Sequence, residues 1–285
     1  LRINIVTEKP PIDPTYEGVH LDFTDTMSYG DYLHLPQLLE CQKPLSGQHD
    51  ELLFIVIHQA TELWMKLCLH ELEAAMTCIR QDNLEPAFKM LARVGRVQAQ
   101  MIQSWETLAT MTPSDYSRFR EALGASSGFQ SYQYRLLEFM LGAKNATVIE
   151  PLRSDPAIFA RVEAALHAPG LYDETLRLLA RRGFAIPAGH LERDFSQPYT
   201  ADPAVEGVWL LIYHDTKKWW DLYELAEKLV DLEYRFQQWR FAHMKTVERI
   251  IGYKRGTGGS AGVSYLVRAL ERSFFPELLS LRTSI

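Results

Sequence analysis

Between Asp50 and Arg80 the chain carries two apolar seams at helical spacing, and this pattern narrows the fold more than any other feature. Ile57, Thr61, Trp64, Cys68, Leu72, Ala75 and Ile79 recur at intervals of four and three, which sets them on one side of a helix. Phe54, His58, Met65 and Leu69 form a second stripe. A helix that is apolar on two faces is stable in water only when neighbours cover both, so this segment predicts the buried centre of a helical core. Leu84 to Leu108 follows with the stripe Leu91, Val94, Val97, Met101, Trp105 and Leu108, and Asp82 or Asn83 stands where a cap belongs. No proline or glycine interrupts Val208 to Ile251, which predicts two long helices whose boundary the pattern leaves open.

The remaining segments fit around that core. Thr112-Pro-Ser-Asp115 reads as a helix start, with Thr112 as cap and Pro113 in the first position, and the helix stops near Gly124. Phe129 to Leu141 is helical again. Prolines and glycines are frequent from Pro151 to Pro203, which predicts a small helical insert over about 150–205 with short helices near 156–167 and 171–182. Residues 1–40 read as an arm, extended at first (Pro10, Pro11, Pro14, Gly18) and then aromatic (Tyr29, Tyr32, with Leu33). No segment alternates as a strand does, so the fold class is all-α, with long antiparallel helices in one domain over 41–285.

Composition excludes several classes. A net charge of −6 argues against nucleic acid as the main partner. The three cysteines, Cys41, Cys68 and Cys78, form no C-x-x-C pair, so neither a disulfide framework nor a thiolate metal site is expected. Without C-x-x-C-H, any haem is held non-covalently. The longest unbroken apolar run, Leu52 to Ile57, is too short to span a bilayer, and residues 1–20 are unlike a signal peptide, so a cytoplasmic protein with no membrane partner is expected.

Two histidines lie on inward faces. Phe236, His243, Val247 and Ile250 share one side of a helix that runs into the loop Tyr253-Lys-Arg-Gly-Thr-Gly-Gly-Ser-Ala-Gly262. His58 sits one turn after Phe54. Either histidine alone is most simply a core residue satisfied by one hydrogen bond; two in one helical protein point to a flat cofactor between helices, such as haem with a histidine axial base. Which of them binds iron, or whether both do, stays open at this stage. Tyr116, Arg120 and Leu123 share a face of the short helix, where the arginine is either a solvated charge or a fork for a carboxylate. The glycine loop matches G-x-G-x-x-A, but a helix precedes it where the dinucleotide fingerprint needs a strand. Lys254 and Arg255 suit the loop to an anionic ligand, and Thr257 adds a hydroxyl. A di-iron bundle would need two Glu-x-x-His motifs on helices; Glu17-Gly-Val-His20 is the only one, and it lies in the arm.

Taken together, Ser28-Tyr-Gly-Asp-Tyr-Leu33, His49-Asp-Glu-Leu-Leu-Phe54 through His58-Gln59, Thr112-Pro-Ser-Asp-Tyr116 and Phe119-Arg120 resemble the tryptophan 2,3-dioxygenase family. So do Ser126-Ser-Gly-Phe-Gln-Ser131, Trp239-Arg-Phe-Ala-His243-Met and Lys254-Arg-Gly-Thr-Gly-Gly-Ser260. The resemblance implies haem b, ferrous when active, and conversion of L-tryptophan and dioxygen to N-formylkynurenine, the first step of tryptophan catabolism by the kynurenine pathway. It implies His243 as the proximal ligand and His58 on the distal side, accepting from the indole N–H. Phe54 and Leu123 would pack on the indole, Arg120 and Tyr116 would hold the carboxylate, and Thr257 the charged end of the amino acid. Trp105 and Ser127 would lie near the propionates. Tyr29, Tyr32 and Leu33 would complete a neighbouring subunit's pocket in a homotetramer. The rivals are a bis-histidine electron carrier and a haem-free helical scaffold that binds through its aromatic arm.

Overall fold

The computed structural model describes residue 15 and residues 18–285. Pro10, Pro11, Pro14 and Glu17, on which part of the arm reading rests, lie outside the described residues. The chain divides into two compact units, one ending at Lys43 and one spanning Pro44–Ile285. Among the described residues every regular element is a helix, as the apolar periodicity predicts.

In the first unit, α1 (Tyr29–Leu33) starts at Ser28, whose hydroxyl accepts the Asp31 N–H while the Asp31 carboxylate accepts the Ser28 N–H. His34 adopts a left-handed φ of 51° and separates α1 from α2 (Leu35–Leu39). Neither helix buries a residue.

The second unit is built on three long helices. α3 (His49–Arg80) and α4 (Leu84–Leu108) are joined by the short turn 81–83 and pack along their lengths as antiparallel neighbours. The expected cap of α4 does not form. Asp82 takes φ 59° and turns its carboxylate to Arg182, accepting at 2.6–2.9 Å, and Asn83 makes no side-chain cap bond. An arginine that already bridges to Asp221 outcompetes the α4 N-terminus for that carboxylate. Among the described residues α3 alone is apolar enough by length and composition to cross a membrane, yet here α4 covers it on one side.

Further along come α5 (Pro113–Phe119), α6 (Tyr132–Leu141), α7 (Pro156–His167), α8 (Leu171–Arg181), α9 (Ala188–Leu191), α10 (Pro203–His214) and α11 (Trp220–Ile251). The undivided run from 208 thus breaks at 215–219, where the Asp215 carboxylate accepts the Lys218 N–H and closes a turn. α11 is the third long helix and packs on α4; α6 and α8 lie on α3; α12 (Val263–Leu270) and α13 (Pro276–Ser280) lie on α11. The expected stripe of α4 is buried along its whole length. α8 contributes Leu171, Leu176, Leu178 and Leu179, all fully buried, so this part of the 150–205 segment belongs to the core itself.

Buried charge ties these layers together. Glu138 of α6 is held by Arg135 at 2.5 Å and by Arg240 of α11 at 3.0 Å. Glu233 of α11 accepts from the Ser273 hydroxyl and from the backbone N–H groups of Phe274 and Phe275. Glu277 of α13 accepts from the hydroxyls of Tyr172 and Tyr199. Removing one partner of a buried ion pair such as Glu138–Arg240 typically costs about 3–5 kcal/mol, which keeps α6 and α11 in register.

Candidate functional site

The burial of α3 changes along its length. From Thr61 onward its main seam is buried apart from the half-buried Trp64, but Phe54, Ile57 and His58 are all half-buried although they point inward. Tyr116, Arg120, Leu123, Ser127, His243 and Thr257 are half-buried as well, and Trp105 is buried. Inward-facing side chains that keep partial exposure line a recess rather than fill a core.

His58 is fixed from its own helix. Its Nδ1 donates to the Phe54 carbonyl at 2.7 Å, and the Phe54 ring lies against the imidazole at 4.1 Å between centroids. A carbonyl only accepts, so Nδ1 carries the proton and Nε2 keeps a free lone pair. Burial holds the His58 pKa below its usual value, outweighing the backbone bond and the nearby Glu62 that act against it. His58 is therefore neutral at physiological pH and presents an acceptor.

His243 comes from α11. Its ring stacks on Trp105 of α4 at 4.6 Å and 20°, and on Trp239 one turn earlier at 6.0 Å and 25°. Burial, helped by the proximity of His58, pushes its pKa down to about 4. Trp105 is thus close to both imidazoles, 6.1 Å from His58 by centroids and 4.6 Å from His243. The indole Nε1 atoms of Trp105 and Trp239 are buried without a hydrogen-bond partner in the protein.

These features fit a haem. A neutral imidazole on a rigid helix is the donor that haem iron takes. A buried indole N–H with no protein acceptor suits an anionic group such as a propionate, since an unpaired buried donor otherwise costs about 1–3 kcal/mol.

The opposite wall is aromatic and basic. Thr112 caps α5 as its Thr-Pro-Ser-Asp motif predicts, in a capping box with Asp115. α5 presents Tyr116, whose ring lies 6.1 Å from Phe54; Phe119, fully buried, lies 5.7 Å from Phe54 and 5.4 Å from Tyr116. Arg120 and Leu123 follow on a 3-10 turn, Arg120–Leu123, ended by Gly124. Arg120 Nη2 donates to the Arg255 carbonyl at 2.6 Å, and Thr257 Oγ1 donates to the Ser126 carbonyl at 2.6 Å. The glycine loop is therefore pinned to the 120–127 segment at two points.

Close approach explains two of the loop glycines. A Cβ at Gly258 would stand 2.7 Å from Cβ of Ser127. A Cβ at Gly262, where φ is +61°, would stand 2.6 Å from the Lys254 carbonyl oxygen. The loop closes on itself through Gly262 and on Ser127 through Gly258.

The structure thus brings Phe54, His58, Trp105, Tyr116, Arg120, Leu123, Ser127, His243 and Thr257 together on α3, α4, the 113–127 segment and the α11–α12 connection. Tyr29, Tyr32 and Leu33 lie on α1 of the first unit, where they are 74%, 71% and 39% exposed. Sequence reasoning missed four contributors. Phe119 stood beside Arg120 in a motif, but its packing role was not visible. Trp239 is one turn before His243, a spacing that signals a shared face. The Arg255 and Ser126 carbonyls left no signal, because backbone acceptors have none.

Comparison with known proteins identifies the family of this chain. The profile of the tryptophan 2,3-dioxygenase family matches residues 15–164 and 207–285. A protein of Bacillus cereus named tryptophan 2,3-dioxygenase is 59% identical over 269 residues, covering 94% of this chain and 96% of its own. One of the same name from Geobacillus thermodenitrificans is 57% identical with the same coverage, and one from Bordetella parapertussis is 56% identical over 98% of each chain.

Proposed function

Since the chain belongs to the tryptophan 2,3-dioxygenase family, we propose that the recess bounded by His58, Trp105, Arg120 and His243 is where it opens the indole ring of L-tryptophan to give N-formylkynurenine. The protein is a haem-dependent enzyme that incorporates both oxygen atoms of dioxygen into its substrate. The observation that carries the site assignment is the pair of neutral imidazoles, one on α3 with its acceptor lone pair fixed by Phe54 and one on α11, both close to Trp105 of α4.

Haem b, when bound and ferrous, supplies the iron that activates dioxygen for insertion across the pyrrole double bond. His243 would hold its iron, and Trp105 and Ser127 would receive its charged edge. His58 Nε2 accepts the indole N–H and so fixes the ring's rotation; indole is too weak an acid for imidazole to deprotonate readily, so the role is orientation. Phe54 and Leu123 hold the indole faces and keep water away. Arg120 clamps the substrate carboxylate with Tyr116 beside it, and Thr257 meets the charged end as the loop settles. A site that pairs both charged ends of an amino acid rejects analogues without them by roughly 10⁴-fold.

The exposed Tyr29, Tyr32 and Leu33 support a homotetramer in which this arm completes a neighbour's pocket, and a cytoplasmic location suits an enzyme of this kind. The bis-histidine carrier and the haem-free scaffold leave Arg120 and the pinned loop without a purpose. The test is spectroscopic. The haem-loaded protein is reduced without oxygen, then given tryptophan and air. Growth of the formylkynurenine absorbance is expected. A six-coordinate low-spin ferrous spectrum that ignores carbon monoxide, with no product, would overturn the proposal.

A further inference from the structure

Away from the ligand-facing surfaces, the three long helices enclose a cavity of about 10 Å³ between Cys68 of α3, Gln98 and Met101 of α4, and Phe236 and Trp239 of α11. Its wall is otherwise hydrocarbon, with Leu72, Val94, Leu137 and Leu141 among the lining residues. Three of the lining residues carry polar groups. Trp239 is 6% exposed, and its Nε1–H has no acceptor in the protein. Gln98 is 4% exposed; its Nε2 donates to the Leu232 carbonyl at 3.4 Å, and its Oε1 has no donor. Cys68 is 1% exposed, and burial pushes its thiol up to about 12, so the sulfur keeps its proton.

A donor without an acceptor and an acceptor without a donor thus belong to side chains that line one small void. A space of this size is about what one water needs, and a buried water needs two to four polar partners. Each unpaired group would otherwise cost about 1–3 kcal/mol.

We infer that a single structural water occupies this cavity, accepting from Trp239 Nε1–H, donating to Gln98 Oε1 and touching the Cys68 thiol, and that Gln98 acts through it as a positioning residue for His243. The geometry gives the link its sense. Each partner comes from a helix that carries a ring of the site: Cys68 lies on the helix of His58, Gln98 on that of Trp105, and Trp239 one turn before His243. Trp239 stacks beneath His243 at 25°, so an anchor on its N–H sets the plane on which the imidazole rests. The water site stands on the cavity alone; the consequence for a bound haem rests on the function proposed above.

The test has three readings. A crystal structure of the holoenzyme at about 1.8 Å or better should show one density peak within hydrogen-bond distance of Trp239 Nε1 and Gln98 Oε1. An empty cavity, or a direct bond between the two side chains, overturns the inference. Gln98→Met and Trp239→Phe should each lower the melting temperature by about 3 °C or more, and the double variant should lose less than their sum, because the second change removes a group already stranded. Strict additivity overturns the shared water.

In the ferrous holoenzyme, Gln98→Met should shift the iron–imidazole stretching band, although Gln98 does not touch His243; Trp239→Phe provides the same reading if Gln98→Met fails to fold. An unmoved band in the folded variant overturns the positioning role. Should the chain take up no haem at all, the proposed function falls, and the ring-current shift of the His243 proton signals in the haem-free protein judges Gln98 instead. No change in those signals overturns its role.

Discussion

Replacing Arg120 by methionine isolates the carboxylate clamp. The side chain keeps most of its apolar stem and loses only the guanidinium. In the structure that group already serves the protein, since Nη2 donates to the Arg255 carbonyl at 2.6 Å. A substrate carboxylate gripped through two N–H donors gains about 1.5–3 kcal/mol per charge-assisted bond. One of the two nitrogens is shared with the loop, so we take the lower end of the sum, about 3 kcal/mol, or roughly 10²-fold in affinity.

The loss should fall on KM for tryptophan with kcat changed much less, because the carboxylate lies remote from the bond being opened and is held alike in ground and transition states. Tryptamine provides the control. It has no carboxylate, so its slow turnover should have nearly the same kcat/KM in the variant and in the parent. The assay is steady-state formylkynurenine formation with both substrates on haem-matched preparations. If KM for tryptophan rises less than about 3-fold, the clamp lies elsewhere. If tryptamine suffers as much as tryptophan, Arg120 acts by holding the loop through Arg255 and not by meeting the substrate.

Three other perturbations bear on the same site. His243→Ala should abolish stable haem binding while leaving the helical circular dichroism intact, and a full Soret band in that variant would contradict the ligand assignment. Burial holds the His58 pKa below 6.5, so the ring is neutral above that value and its Nε2 stops accepting only as pH falls through the lowered pKa. The acid limb of kcat/KM should therefore lie below pH 6.5 and vanish in His58→Ala, which should turn over slowly but measurably; a limb near neutrality that survives the substitution would refute the role. Gly262→Ala forces a Cβ to within 2.6 Å of the Lys254 carbonyl at a φ of +61°, so the loop should lose its closed form and KM for tryptophan should rise several-fold with haem uptake unchanged.

Legibility of this chain followed the range over which each signal acts. Helix periodicity is local, so the stripes of α3 and α4 could be read to within a residue of their ends, and the Thr112 capping box was visible as four letters. Asp82 shows where local reading fails. As a candidate cap it was reasonable, but Arg182, a hundred residues away in sequence, takes its carboxylate. The break at 215–219 was hidden for a related reason, because Asp215 closes its turn without the proline or glycine that usually marks one. The segment near 150–205 looked like an insert on account of its prolines, yet it supplies Leu176 and Leu178 to the core. The family profile passes over 165–206 as well.

The site shows the same division, for a reason rooted in what each residue must do. His58, Arg120 and His243 stand out through the motifs that resemble the family's, and the roles proposed for them need one residue type, since no other side chain supplies an imidazole lone pair or a planar fork. Their precision comes from groups that many residues could replace. A backbone carbonyl fixes the His58 tautomer, two more hold Arg120 and Thr257, and the Trp105 and Trp239 rings set the plane of His243. A carbonyl belongs to every residue, so nothing in the sequence marks the ones that matter. Orientation errors of about 1 Å can cost 10²-fold in rate, so the unmarked groups weigh on catalysis nearly as much as the marked ones. A second member of this family with the same motif residues but a different residue in place of Gln98 should therefore bind haem and tryptophan yet turn over at a different rate, and that difference should transfer when position 98 is exchanged.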